Sequence, residues 1–403
     1  MGVCGVISFL WQVIVSTSFV NVVALGDRFL FFFRQPELVT CVVCGWSVNV
    51  FFITLSSSVL LGFIPVIIKN KSQCSAGVYR SLLLTFSFFI GVFFSCIVFL
   101  GFMVFNDISW YYALLMCPYM VIMIVVTAVR VIGISEQKMF NFNRITIKVY
   151  ILIVISYCFS GTSNLSLFYI LKNTIVGLIY LYLLCNKYTL RLEGSAFLGN
   201  LKRGMFLLKK GIKISTPSVI SFGVEAFVIC LWLFFVKNYR QDCAVEYMIF
   251  YTVMSFCGLI NESFSRTAVS IVSNSKTENW VEAFIFTIKR YLVILSCAFS
   301  LGCGYVYFCN LFLDKLVVLS CVLLCISMEN IASLFSGALI ASGKIFVPMY
   351  SNVFCMTFIF SLFSFGFKGL PCFWFIYMPM LFYATTNCII LSVSLARHVK
   401  NAT

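Results

Sequence analysis

The sequence predicts an all-α polytopic membrane protein: about 12 transmembrane helices in two six-helix bundles, with both termini cytoplasmic. Three observations carry this expectation: the composition, the spacing of the apolar runs, and the placement of the basic residues. Of 403 residues, 62% are hydrophobic and only 10% are charged. Soluble domains carry about 25% charged and 45–50% apolar residues, so a solvated globule is excluded. A helix crossing the hydrocarbon needs about 20 apolar residues, and a chain of this length accommodates about a dozen such spans.

The apolar runs, broken by charges and turn residues, place helices at 3–25, 38–68, 81–105, 108–133, 147–164, 166–186, 215–236, 244–272, 290–311, 316–342, 345–367 and 372–396. The first run has no basic lead of the kind that opens a cleaved signal peptide, so it is read as a retained helix. With the N-terminus inside, alternate connections hold 20 Lys and Arg on the cytoplasmic side and 6 outside, with Lys172 and Arg266 inside spans. That asymmetry sets the orientation, and the expected location is the cell (inner or plasma) membrane.

The connection at 191–214 is the longest and most basic (RLEGSAFLGNLKRGMFLLKKGIK, with its last residues). It separates an N-terminal lobe, 1–190, from a C-terminal lobe, 215–403. Its GMFLLKKGI stretch has the mixture of apolar and basic residues that lies on an anionic inner leaflet. Two equal halves joined in this way are the layout of a two-lobed transporter with internal repeats.

The same residues exclude several functions. The net charge of +15 comes from short runs scattered between apolar segments, not from a basic domain that could form a nucleic-acid footprint. A single histidine, His398, leaves no basis for histidine acid–base catalysis, HExxH zinc chemistry or histidine-ligated haem. Intramembrane acyltransferase and rhomboid-type protease readings lose their base in the same way, and no Walker A pattern is present. Most of the 19 cysteines lie inside apolar runs, where they pack as small, weakly polar residues. The one CxxC, Cys41–Cys44, has no second pair. Neither an enzyme, nor a metal centre, nor a cofactor is expected.

The informative residues are acids within apolar runs. A carboxylate at mid-bilayer costs about 2.5–3.5 kcal/mol on insertion scales, so such residues mark pathways. Asp27 ends the first run, Glu225 lies about ten residues into the seventh, and Glu329 sits in the middle of the tenth. Each has a plainer reading. Asp27 adjoins Arg28 and suits an interfacial position, and Glu329 suits a partner for Asn330 or a neighbouring helix. Glu225 has no charge within ten residues on either side, so a surface role fits it least. The functional reading is a carboxylate in a water-filled lobe that binds H⁺ or Na⁺, burial and a bound cation acting on it in opposite senses. Asn164, between the fifth and sixth runs, is either a turn residue or a neutral oxygen ligand. Glu262 suits a pair with Arg266 one turn on, and Pro217 suits a mobile kink.

Several stretches resemble the MATE (multidrug and toxic compound extrusion) family, in its NorM-like branch. KKGIKISTPSVISFGVEAFVICLWLFFV is similar to the start of the family's seventh helix, with Gly211, Pro217 and Glu225 in place. SMENIASLFSGALIASGKIFVPMYSNVF resembles its tenth-to-eleventh connection through Glu329, Gly337, Gly343 and Lys344, and FSRTAVSIVSNSKTENWVEA the end of its eighth helix. NVVALGDRFLFF puts Asp27, and SGTSNLSLFY puts Asn164, at polar positions of the first lobe. The family's early proline in the first helix has no counterpart here.

The resemblance implies two six-helix bundles around a central cleft and export of organic compounds coupled to Na⁺ or H⁺. It places Glu225 and Glu329 in a second-lobe cation site, and Asp27 with Asn164 in a first-lobe one. The expected partners are a small-molecule substrate, cationic or neutral, and membrane lipids, with the chain acting as a monomer. The wider superfamily includes lipid-linked oligosaccharide (O-antigen and polysaccharide) flippases, which are the alternative. Their phosphate-bearing cargo calls for a basic cavity, and only Arg266 and Lys172 are clearly intramembrane cations.

Overall fold

The computed structural model describes residues 8, 12–13, 51–53, 55–60, 62–69, 76–105, 110–136, 139–158, 165–187, 201–239, 263–273, 285, 313–366 and 371–402. Among these the protein is helical throughout, with no strand. The longer helices are α1 (Phe63–Lys69), α2 (Ala76–Phe105), α3 (Trp110–Ser135), α4 (Met139–Cys158), α5 (Leu165–Lys187), α6 (Leu201–Tyr239), α7 (Leu313–Ala341), α8 (Phe346–Gly366) and α9 (Cys372–Ala402). Residues 263–273 form a further helical stretch. Six stretches among the described residues are long and apolar enough to cross a membrane. With the composition, they make this a multi-pass membrane protein.

The chain divides into two compact units, Val15–Thr216 and Pro217–Thr403, the latter joined by Met1–Ile14. In the first unit α3 is the central helix: 78% of its Cys117–Ser135 span is buried, against 33% for Met139–Tyr157 of α4. It packs against α2 and α5, and α5 packs in turn against α4. Hydrocarbon supplies no hydrophobic drive between helices, so contact depends on close fit and small residues. At Gly91 of α2, an added methyl group would lie 3.0 Å from the Val121 Cα of α3. The outer face of α2 carries Phe88, Phe89, Phe93 and Leu100, all more than half exposed, as expected of side chains that meet lipid tails.

Several elements begin earlier than the apolar runs indicate, α4 and α6 by the most. The fifth run suggests a span from 147, yet α4 starts at Met139. Met139, Phe142, Thr146 and Val149 are buried while Phe140, Arg144, Ile147 and Lys148 face outward. That is helical spacing, and it places Arg144 and Lys148 on the outer face of a helix and not in a connection. Likewise residues 201–213, read as connection, are the opening turns of the single helix α6. Leu207, Gly211 and Ser215 form its buried stripe. Gly211 lies so close to the Phe63 ring, and Gly62 to the Ser215 backbone, that a side chain at either glycine would overlap its neighbour.

In the second unit α7 and α9 pack along their lengths, and α8 lies against α9. Trp232 of α6 stacks on Phe375 of α9 at 4.8 Å between ring centres and meets Phe360 of α8 edge-on at 5.2 Å. These rings, with Cys325, Cys355 and Met356, form one core cluster. A second cluster joins Phe264 and Ala268 to Leu334, Ala338 and Leu339 of α7 and Leu391 and Leu395 of α9. The buried cysteines pack as the sequence reading expects.

Helix α7 ends in a left-handed glycine. Gly343 has φ 89°, a conformation that costs a residue without a Cβ little. Its N–H bonds the Ile340 carbonyl at 3.1 Å, and the Lys344 N–H bonds Leu339 at 2.9 Å. This pair of bonds satisfies the last carbonyls of the helix and turns the chain directly into α8.

A methyl group at Gly337 would lie 2.3 Å from the Ser265 carbonyl oxygen, which belongs to backbone and has little room to move. Gly337→Val is therefore expected to cost about 1–3 kcal/mol, read as a lowered thermal midpoint of the detergent-solubilised protein. Gly223, with nothing within 4 Å of its added methyl, is the control position: Gly223→Ala should leave the midpoint unchanged or slightly raised.

Candidate functional site in the second unit

Glu225 is borne by α6, 14 residues before its end at Tyr239, and is partly buried. The nearest polar group from another helix is Asn352 of α8. Its amide nitrogen donates to the Ser221 hydroxyl at 2.5 Å and, more loosely, to Glu225 Oε2 at 3.4 Å. Ser221 precedes Glu225 by one helical turn, so one amide from α8 reaches two polar groups on one stripe of α6. The Asn352 oxygen in turn accepts the Tyr383 hydroxyl of α9.

The chain of bonds extends further. Tyr383 is also bonded by the Asn387 side chain, one turn along α9. The oxygen of Asn387 accepts the Ser351 hydroxyl at 2.6 Å, leaving its NH₂ as the group that meets Tyr383. Donors thus point one way, from Ser351 through Asn387, Tyr383 and Asn352 towards the Glu225 carboxylate. Three helices supply the network, and buried polar networks of this kind hold side chains in one arrangement when each member is satisfied.

Glu329 of α7 belongs to the same neighbourhood. Both Glu225 and Glu329 lie near enough to the Tyr383 hydroxyl to act on it electrostatically, and Glu329 also acts on Cys325 one turn before it. The structure therefore groups two of the acids singled out in the sequence around one tyrosine. Asp27 and Asn164 lie outside the described residues. Pro217, eight residues before Glu225, is buried in α6. It has no N–H to offer the Lys213 carbonyl, a gap in the ladder that permits a bend. Beside it the Ser215 hydroxyl sits against the Gly211 carbonyl at 2.9 Å and the Val59 carbonyl, and the Thr216 hydroxyl bonds Ile212 at 2.8 Å.

Among the described residues no three His, Cys, Asp or Glu come together as a metal-binding group. The oxygens of this neighbourhood are two carboxylates, the amides of Asn352 and Asn387, a phenol and hydroxyls. Hard cations such as Na⁺ take oxygen ligands of these types, and a proton needs only one of the carboxylates.

Sequence reasoning missed Ser221, Asn352, Tyr383 and Asn387. The available signal was weak: Asn352 and Asn387 are amides inside apolar runs, and a neutral amide is a far smaller departure than a charge. The first unit holds a contrasting set that the sequence reading also left unassembled. Lys172 of α5, 6% exposed, places its ammonium 4.4 Å from the centre of the Tyr157 ring of α4. Arg130 of α3, also 6% exposed, reaches the Ser57 hydroxyl at 3.4 Å. Arg80, at the start of α2, makes a two-pronged pair with Glu136 just after α3 at 2.8 and 2.7 Å, and the Tyr79 hydroxyl adds a third bond at 2.8 Å.

Taken together, fold and site define a class: a multi-pass membrane protein built on the fold of the MATE transporters. No family model matches the sequence and no curated protein matches it, but solved structures do. The eukaryotic MATE transporter AtDTX14 superimposes with a TM-score of 0.75 over 99% of this chain and 98% of its own, at 13% identity. An outward-facing multidrug resistance MATE family transporter of the MOP superfamily matches at 0.79, 98% and 96%, with 11% identity. A MOP superfamily transporter from Pyrococcus furiosus, whose binding pocket of reversed polarity suggests a different function, matches at 0.74, 98% and 95%, also at 11%. At such identities the likeness is one of fold.

Removing one hydroxyl tests the network. Tyr383→Phe should lower the thermal midpoint by the equivalent of about 0.6–1.7 kcal/mol, the range for hydrogen bonds between membrane helices. The unmasking of buried Cys325, Cys355 and Cys388 to a thiol-reactive fluorophore provides the readout. For the first unit, Glu136→Gln is expected to cost roughly 1–2 kcal/mol, a moderate figure because the Arg80 side chain is 20% exposed. Unfolding of the two variants by the same assay checks both.

Proposed function

We propose that this protein is a secondary active transporter, a cation-coupled antiporter that exports small organic, amphipathic compounds by alternating access. The observation that supports it most directly is the network ending on Glu225: a carboxylate on α6 that accepts from Asn352, which in turn accepts from Tyr383, with Glu329 acting on the same tyrosine. In this reading Glu225 and Glu329 bind the coupling H⁺ or Na⁺, with Asp27 and Asn164 as a first-lobe counterpart. Pro217 is the hinge, and the lobes are 1–190 and 215–403 about the basic connection 191–214.

The mechanism follows from charge. With the site open outside, a cation enters from the side of higher potential and neutralises the carboxylate. A neutral carboxyl no longer holds a cationic cargo, which leaves. The rearrangement to the inward-open state then carries the cation down its gradient, and its release inside restores the charged form. One unit charge moved through 100 mV supplies about 2.3 kcal/mol, roughly a fifty-fold concentration ratio, so a single coupled cation is sufficient. The MATE transporters that share this fold, one of them a multidrug resistance protein, support the reading. On the same reasoning the protein is not an enzyme, needs no cofactor besides its ion, acts as a monomer and resides in the inner or plasma membrane.

A second reading has its own support. Among the described residues the first unit buries the cations Arg130 and Lys172, a polarity suited to a phosphate-bearing cargo such as a lipid-linked oligosaccharide. One structure of the same fold has a pocket of reversed polarity and a suggested different function. The acids of the second unit favour the exporter.

Efflux of ethidium from proteoliposomes, with a Na⁺ or a pH gradient imposed in turn, separates the two. The exporter moves dye under one gradient, and Glu225→Gln lowers that rate at least tenfold while the protein remains folded. Gradient-driven efflux in Glu225→Gln equal to wild type overturns the site. No efflux under either gradient, together with translocation of a fluorescent lipid-linked oligosaccharide, establishes the flippase.

A further inference from the structure

The opening turns of α6 present two faces with different chemistry. On the inner face Leu207, Gly211 and Ser215 are buried. Gly211 is close-packed on the Phe63 ring and Ser215 on Gly62 and Val59, so this stretch cannot rotate to offer another side. On the outer face Lys209, Lys210 and Lys213 are exposed together with Ile212 at 39% and Phe206 at 60%. At about 100° per residue these positions fall within an arc of roughly 160°. The Lys210 ammonium lies over the Phe206 ring at 5.6 Å, which holds it near the helix surface. No acid occurs between Lys202 and Glu225, so the arc has no negative charge of its own element.

The company of these lysines identifies what faces them. In a multi-pass membrane protein, three exposed ammonium groups beside the exposed Phe206 and Ile212 form the mixed basic and apolar surface of a helix that meets an anionic leaflet.

We infer that this face of α6 is a binding site for anionic phospholipid headgroups of the leaflet at its basic end. The phosphates meet the three ammonium groups, and the exposed apolar side chains lie among the upper acyl carbons. A soluble acidic partner fits less well, because exposed Phe206 and Ile212 share the arc with the lysines. The site is independent of what the protein transports.

The test uses the full-length protein in detergent, titrated with phosphatidylglycerol or phosphatidylcholine while its thermal midpoint is followed. Phosphatidylglycerol should raise the midpoint at concentrations where phosphatidylcholine does not, and 1 M NaCl should abolish the difference, because the Debye length falls to about 3 Å. The triple variant K209Q/K210Q/K213Q should bind phosphatidylglycerol on the order of a hundredfold more weakly, about fivefold per lysine. The triple Lys→Arg variant should bind like wild type. The single K209Q, expected to lose about fivefold, provides the measurement should the triple variant fail to fold. Equal stabilisation by the two lipids overturns the inference, as does an unchanged phosphatidylglycerol response in the Gln variants. Stabilisation by inorganic phosphate matching that by phosphatidylglycerol also overturns it, since the site would then bind an anion without a lipid.

Discussion

Hydrocarbon offers a peptide group no hydrogen-bond partner, so each buried N–H and C=O must be satisfied within its own segment. The helices answer that constraint, and so do their ends. At Gly343 the left-handed turn lets two N–H groups cap carbonyls at the end of α7, and only a short connection leads into α8. The same constraint gives Pro217 its meaning. A proline inside α6 leaves one carbonyl without its usual donor, and hydroxyls cluster beside it at Ser215 and Thr216. Those hydroxyls donate to the Gly211, Val59 and Ile212 carbonyls, and the carbonyl that Pro217 leaves without its helical donor belongs to Lys213, an exposed residue.

With backbone groups occupied, helices must adhere by other means. Lipid tails are as apolar as leucine, so burying one more leucine gains little between helices. Fit takes over. Glycines at 62, 91, 211 and 337 each bring a neighbour within reach of an absent methyl group. Trp232, stacked on Phe375 and edge-on to Phe360, fills the second unit, while Phe88, Phe89 and Phe93 of α2 and Phe354 and Phe358 of α8 point outward. This division explains why a chain with 46 phenylalanines still keeps its closest contacts at its smallest residues.

Polar groups gain unusual weight in this setting. A hydroxyl or amide inside a bundle finds few competitors, so Asn352, placed between α6 and α9, couples Glu225 to Tyr383. The first unit places buried cations against an aromatic ring and a serine hydroxyl, and the second gathers acids around a phenol. The division is not complete, since Arg266 of the second unit is fully buried and the Glu136 carboxylate of the first is 4% exposed; what sets the second unit apart is the directional network that ends on a carboxylate. The exposed lysines Lys209, Lys210 and Lys213 stand on the helix that bears that carboxylate, with Pro217 between them.

Much was determined by the sequence alone. Composition excludes a soluble globule, and unbroken apolar runs place most helices to within a few residues, as at α3, α5, α7 and α8, because hydrocarbon demands length and apolarity and both are written locally. Intramembrane charge is equally local, which is why Glu225 and Glu329 were legible as candidates. The early starts of α4 and α6 were not, since a helix whose outer face carries Arg144, Lys148 or Lys209 looks like a connection until its buried stripe has found a partner. Nor was the company that Glu225 keeps. Asn352 lies 127 residues from Glu225 and 31 from Tyr383, and neutral amides and phenols within apolar runs carry no penalty large enough to mark them. Only the packing of α6, α8 and α9 decided that their polar atoms should meet, because a hydrogen bond is set by distances of about 3 Å, which spacing along the chain does not encode.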